Sequence, residues 1–284
     1  PPGYHDLRFD GGGMTRLIVS PGRCHLPPGL RAWGWAAQLY ATRSAASWGI
    51  GDLGDLARLG RWSRALGARL LLINPLGAVT PVLPQQASPY YPSSRRYRNP
   101  LYLRVEDVPG AGLAGLDLAT LAGAGRALNA ERRIDRDAVF RLKMEALTRL
   151  WSRFVGDPGF DRYCRAEGDA LREFAVFCAL AEHHGGGWPA WPDEHRRPDA
   201  PGVWRFAEAR ADRVRFHRWL QWLGARQLAA AAAEIPVMQD LPNGVDPGGA
   251  DAWAWQELLA DGASVGAPSD LYNQRGQDWG LPPF

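Results

Sequence analysis

Residues 33–75 constrain the fold most, because two continuous apolar runs flank one stretch with helical spacing. Trp33 to Tyr40 reads as a buried strand. Asp52 to Gly67 places Leu53, Leu56, Leu59, Trp62 and Leu66 on one helical face, with Asp52 as the cap and Gly67 as the stop. Arg69-Leu70-Leu71-Leu72-Ile73-Asn74-Pro75 then stays apolar until proline breaks it. Strand, helix, strand in this order is the unit of a parallel sheet, whose strands are apolar on both faces. Asp135 to Phe154, Ala166 to His184 and Val203 to Glu234 carry helical spacing, separated by a turn region from Gly185 to Pro201. Helices in series without strands read as an insertion. The sheet resumes at Ile235 to Pro242, and Ala250 to Leu259 follows as a short helix.

Hydrophobic residues make up 46% of the 284 and charged residues 22%, which excludes disorder and allows a sizeable core. A formal charge of +3 with no basic tract leaves no footprint for nucleic acid. Lys143 is the only lysine among cations that are otherwise arginine. Cys24, Cys164 and Cys178 are too sparse for a disulfide framework or a zinc site and fit a reducing cytoplasm. No apolar stretch reaches the roughly 20 residues that cross a bilayer, so no membrane partner is expected. Residues 1–30, rich in Gly and Pro, read as a linker or the end of a preceding domain. Gly280-Leu281-Pro282-Pro283-Phe284 reads as a turn with no closing strand, so both ends are expected to be cut.

Several candidate sites fall away on spacing. Gly49-Ile50-Gly51-Asp52-Leu53-Gly54 matches G-x-G-x-x-G, but a dinucleotide site needs a strand directly before it and an acid about 20 residues on. Here the strand ends near Tyr40 and the second strand ends in Asn74-Pro75, so the glycines are read as a helix start, with Asp52 and Asp55 offsetting the helix dipole. His183, His184, His195 and His217 lie at no metal-binding spacing, and Asp240, Asn243, Asp246 and Asp251 fail the calcium-loop pattern and read as a solvated loop. No metal or other cofactor is expected. Nothing resembles G-x-S-x-G or a cysteine nucleophile.

Two places remain. Asp240 closes a predicted strand, and ligands gather at the carboxyl ends of parallel strands. Ser88-Pro89-Tyr90, stiffened by Pro84 and Pro89, presents Tyr90 and Tyr91 from a long loop between Pro75 and Pro109. Thirteen tryptophans make carbohydrate the favoured ligand class. Trp62, Trp151, Trp219 and Trp222 lie in helical stretches and are expected in the core. Trp48, Trp188, Trp191, Trp253 and Trp279 lie among Gly and Pro and are candidates for stacking on sugar.

The chain resembles the 4-α-glucanotransferases of the amylomaltase family. The likeness rests on Gly3-Tyr4-His5, Trp33-Gly34-Trp35 with Gln38-Leu39-Tyr40, Arg43-Ser44 through Ser47-Trp48-Gly49-Ile50-Gly51-Asp52, and Asn74-Pro75-Leu76. It continues through Ser88-Pro89-Tyr90, Ser93-Ser94-Arg95, Asn99-Pro100-Leu101 and Asp240-Leu241-Pro242. It ends with Ala250-Asp251 and Trp253, Val265-Gly266-Ala267-Pro268 and Gly276-Gln277-Asp278-Trp279-Gly280. These occur in family order across nearly the whole chain.

The resemblance implies an α/β fold: an incomplete (β/α)8 TIM barrel, its N-terminal part, at residues 31–284, with a mainly helical insertion at about 105–234. It implies transfer of α-1,4-glucan segments between maltooligosaccharides, with starch or glycogen as the polymer, by a retaining double displacement. Tyr90 is then expected to stack near the cleavage point and Asp240 to hydrogen-bond there, with Ser88 beside them. Gln277 and Trp279 would contact the neighbouring sugar, and the loop holding Gly266-Ala267-Pro268 would cover the cleft, with Ser269 a departure from the family's usual proline. The family's nucleophile, acid/base and stabilising carboxyl groups belong to later strands, so no catalytic residue is expected in this chain, which reads as an inactive internal fragment. Two alternatives stand beside this: a non-catalytic α-glucan-binding module, and an α-glucan hydrolase of related fold.

Overall fold

The computed structural model describes residues 1–24, 28–113, 115–260 and 262–283. The chain divides into two compact units, Pro1–Trp33 and Gly34–Phe284. In the first, where Gly and Pro suggested a linker or the tail of another domain, strands β1 (Gly3–Arg8) and β2 (Met14–Val19) form an antiparallel hairpin registered Gly3 to Val19 and Arg8 to Met14. Gly12 takes φ +87° in its turn, a conformation that favours glycine.

The second unit begins with β3 (Gly34–Ala37), α1 (Leu53–Ala65) and β4 (Leu70–Ile73), in the order the spacing indicates, but β3 is shorter than the expected Trp33–Tyr40 run and largely exposed instead of buried, because it is the edge strand of its sheet. A hairpin of β5 (Gly77–Ala78) and β6 (Ser94–Arg98) follows inside the stretch read as one long loop. Five helices come next: α2 (Leu118–Ala127), α3 (Arg136–Trp151), α4 (Pro158–His184), α5 (Pro201–Ala209) and α6 (Ala211–Glu234). The expected single helix from Val203 to Glu234 is two, broken at Arg210, whose φ of −114° and ψ of 27° leave the helical region. Then come β7 (Val237–Gln239), α7 (Ala250–Ala254), β8 (Val265–Ala267) and β9 (Gln277–Leu281). Gly280 and Leu281 thus close a strand, paired antiparallel with β8, where a turn was expected; Phe284 lies outside the described residues.

Strands β3, β4 and β7 form a parallel sheet in that order, with Gly34 opposite Leu70 and Leu71 opposite Val237. Leu71 and Ile73 face Leu53 and Leu56 of α1 and Ala231 of α6, and all are buried. Each fully buried leucine contributes about 1.5–3 kcal/mol, so this contact sets the register of the sheet. The opposite face carries Ala36, Leu72 and Met238, of which Ala36 and Met238 are exposed.

Tryptophan placement differs from expectation in both directions. Trp48, Trp191 and Trp253 are each 1% exposed and belong to the core. Position among Gly and Pro says nothing about depth: Trp191, and Trp253 within α7, both pack on Phe177 of α4. Trp62, expected inside, is 52% exposed and stacks on Trp35 at the sheet's edge. Trp219 and Trp222 are buried as expected, and Trp151 packs partly buried in the same cluster.

The G-x-G-x-x-G glycines have packing reasons. Gly49 takes φ +74°, a Cβ on Gly51 would collide with the Leu39 and Thr42 carbonyls, and one on Gly54 would meet the Arg104 guanidinium. Asp52 caps α1 through the Gly54 and Asp55 amides, and Asp55 returns a bond from the Asp52 amide, a complete capping box. Arg104 Nη2 lies 2.8 Å from both carboxylates, and Lys143 of α3 lies 3.7 Å from Asp52. The helix start is thereby tied to the helical insertion.

Candidate functional site

At the carboxyl end of β7 the chain opens into a groove of about 570 Å3, lined by Gln86, Ser88, Tyr90, Tyr91, Asp240, Leu241, Asn243, Trp279 and Leu281. Asp240 is held there because its amide donates to the Ile73 carbonyl of β4 at 3.0 Å, extending the parallel ladder one residue past β7. One carboxylate oxygen accepts from the Leu241 amide at 2.8 Å. The other accepts from the Tyr90 hydroxyl at 2.8 Å, a bond across 150 residues of sequence. That bond, ahead of the small effect of burial, raises the Tyr90 pKa above its ordinary value, because the hydroxyl is held as a donor to a negative acceptor.

Tyr90 is aimed by a short turn. The Ser88 amide donates to the Gln86 side chain at 2.9 Å, and the Tyr90 amide donates to Ser88 Oγ at 3.2 Å. Tyr91 Oη donates to the Gly280 carbonyl at 3.3 Å, joining this turn to β9. Trp279 donates its indole N–H to Gln277 Oε1 at 3.0 Å. With that donor occupied, the indole offers the groove an apolar face.

Four of the five expected residues, Ser88, Tyr90, Asp240 and Trp279, therefore share one groove. Gln277 is not on its wall; its side-chain oxygen accepts from the Trp279 indole N–H. Gln86, Leu241, Asn243 and Leu281 also line the groove, and the sequence singles out none of them for this role. Leu241 and Asn243 flank Asp240 and Pro242 in the chain, so proximity was the signal available.

The acidic stretch after β7 is not the solvated loop its composition suggests. Asp246 is partly buried and caps the Gly248 amide at 2.8 Å, and Asp251 accepts from the Arg95 amide at 2.9 Å. Burial raises the pKa of both carboxyls, partly offset by the hydrogen bonds each accepts. The Asp251–Arg95 bond, with Arg95 Nη1 donating to the Pro242 and Asn243 carbonyls at 3.3 Å each, fastens the Asp240 loop to β6. Among the described residues no group of three or more His, Cys, Asp or Glu is placed to hold a metal ion, although His184 Nε2 and His195 Nδ1 approach to 2.8 Å. No helix among them is long and apolar enough to cross a membrane.

A family model described as 4-alpha-glucanotransferase matches residues 37–284. A 4-alpha-glucanotransferase of Mycobacterium tuberculosis is 44% identical over 318 residues, covering 100% of this chain and 43% of the relative. One from Haemophilus influenzae is 32% identical over 302 residues, covering 95% of this chain and 43% of its own length. The chain thus spans less than half of these curated relatives. The crystal structure of amylomaltase from Corynebacterium glutamicum matches with a TM-score of 0.82 at 34% identity, over 100% of this chain and 41% of that one. An amylomaltase from Streptococcus agalactiae in complex with acarbose matches in fold, with a TM-score of 0.72 at 19% identity over 89% of this chain and 53% of that one. The family model covers all of the parallel sheet's later strands, the helical insertion and the groove, and on that coverage the chain belongs to the 4-alpha-glucanotransferase family.

Proposed function

We propose that these residues form the sugar-binding wall of a cytoplasmic 4-α-glucanotransferase, which moves α-1,4-glucan segments between maltooligosaccharides by a retaining double displacement in a (β/α)8 barrel. The observation that carries this reading is the Tyr90–Asp240 pair, tethered at 2.8 Å beside Trp279 at the carboxyl ends of parallel strands. A pyranose has an apolar face and a hydroxyl rim. Tyr90 and Trp279 offer rings to the face, and Asp240, with lone pairs left after Tyr90 and Leu241, accepts from the rim.

Retention requires two carboxyl groups roughly 5 Å apart. Among the described residues Asp240 is the only carboxylate on the groove wall, and both its oxygens already hold neutral donors. Asp240 therefore binds and orients, and in this reading the reacting pair comes from outside these 284 residues. Transfer in place of hydrolysis then depends on an acceptor sugar excluding water, a task the Trp279 face suits.

The test is disproportionation of maltotriose by the protein as its native gene encodes it, with glucose and longer oligosaccharides expected. Asp240→Ala should lower kcat/KM by roughly 10–100-fold, the loss of a charge-assisted bond of about 1.5–3 kcal/mol. Residues 1–284 alone should release no glucose. Glucose from that segment would overturn the assignment of the reacting carboxyls, and cleavage without longer products would make the protein a hydrolase.

A further inference from the structure

We propose that the helical insertion carries a second glucan site, a hollow between α4 and α5 that holds a short segment of an α-1,4-glucan away from the Tyr90 groove. The inference takes its ligand class from the glucanotransferase reading above; the site itself rests on its own geometry. The hollow has a volume of about 260 Å3 and shares no lining residue with the groove. Its floor is apolar and buried: Val176 of α4, Val203 and Ala207 of α5, and the Trp253 ring of α7. Its rim is Asp169, Arg172, Glu173, Pro198 and Trp204.

The rim is built by a break in α4. Gly168 takes φ +62° and ψ −144° in the middle of the helix, and nothing lies within 4 Å of where its Cβ would be. The conformation alone demands glycine there, and a new helical turn starts with Asp169, placing Asp169, Arg172 and Glu173 together. Trp204 is 50% exposed, whereas Trp253, which lines the same hollow, is 1% exposed. The Arg172 guanidinium lies over the Trp204 ring, 4.3 Å from its centroid. Stacked that way, it keeps its N–H edges for oxygen acceptors. The Asp169 and Glu173 carboxylates share this rim with Arg172, and Glu173 feels the charge of both neighbours.

The mixed charge selects the ligand. A phosphate would meet two carboxylates, and a polyamine would meet the guanidinium. A neutral polyhydroxyl compound can use both signs, accepting from Arg172 and donating to Asp169 and Glu173, while its C–H face lies on Trp204 and the apolar floor. The volume is below the roughly 300 Å3 of pockets that engulf a ligand, which suits a platform along a chain held from the side.

Calorimetric titration of the native-length protein with maltoheptaose tests this. Two binding events are expected. Asp240→Ala should remove one, and in that background Trp204→Ala should weaken the other at least roughly tenfold, about 1.4 kcal/mol. Glu173→Gln, which leaves the floor intact, should weaken it severalfold and guards against a Trp204 variant that folds poorly. Binding lost entirely in Asp240→Ala would overturn the second site and leave the groove reading standing. No binding by the unaltered protein would overturn both. Tighter binding of inorganic phosphate or spermidine than of maltoheptaose in the Asp240→Ala background, abolished by Trp204→Ala, would replace the sugar with an ionic ligand and overturn the proposal.

Discussion

Lys143→Ala is expected to destabilise the protein by about 3–5 kcal/mol, the range for removing one partner from a buried charge cluster. The Lys143 ammonium is fully buried and donates to the Leu101 and Leu103 carbonyls at 2.7 Å each. Two acids, Asp52 and Asp55, and two bases, Arg104 and Lys143, balance in formal charge. Burial lowers the Lys143 pKa and raises that of Asp52, and each charge is held in place against that cost by its opposites. Among the described residues Asp52 Oδ2 has no hydrogen-bond partner and lies 3.7 Å from the ammonium, so removing Lys143 leaves a buried carboxylate oxygen and two buried carbonyls unmatched. Urea unfolding of wild type and variant gives the difference. Lys143→Met keeps most of the volume: if it were as stable as wild type, packing and not charge would account for the residue.

Acidification should remove about 3 kcal/mol through Glu182 alone. Glu182 lies between α4 and α6, where Arg213 donates to both its oxygens at 2.6 Å and His217 Nε2 lies 3.2 Å away. Burial pushes its pKa up, but His217 and Arg213 together outweigh that and bring it from 4.5 down to about 2. A carboxyl whose folded pKa lies below its unfolded value stabilises the fold above the unfolded pKa, and that contribution disappears as pH falls through the folded one. The loss therefore runs from about pH 5 to about pH 2, with each pKa unit corresponding to about 1.4 kcal/mol. Glu182→Gln should be less stable at neutral pH and show a flatter acid limb. Equal slopes for the two proteins in urea midpoints across that range would show that Glu182 does not set the acid response.

Much of the sheet was legible because its signals are local. Asp52 caps, Pro75 breaks, and the apolar runs between them leave few alternatives. Asp240 followed from the rule that ligands sit beyond the carboxyl ends of parallel strands, and its amide does continue that ladder. The pairing of β5 with β6 was hidden because the shorter strand has two residues and no periodicity to read. The break at Arg210 carries neither glycine nor proline, so no local sequence signal marks it. Burial of Trp48, Trp191 and Trp253 was misjudged because depth depends on which helices a segment packs against, a long-range fact that composition near the residue does not encode. Asp246 and Asp251 show the same thing for charge, since an acidic run counts as solvated only until the backbone it caps is known.

Lys143, the sole lysine in these 284 residues and wholly enclosed, leaves the folded second unit with no side-chain amine facing solvent. Acylating and glycating reagents, which need a free amine, therefore find that side chain only in molecules whose interior has opened, so covalent marking at this position would count opening events directly.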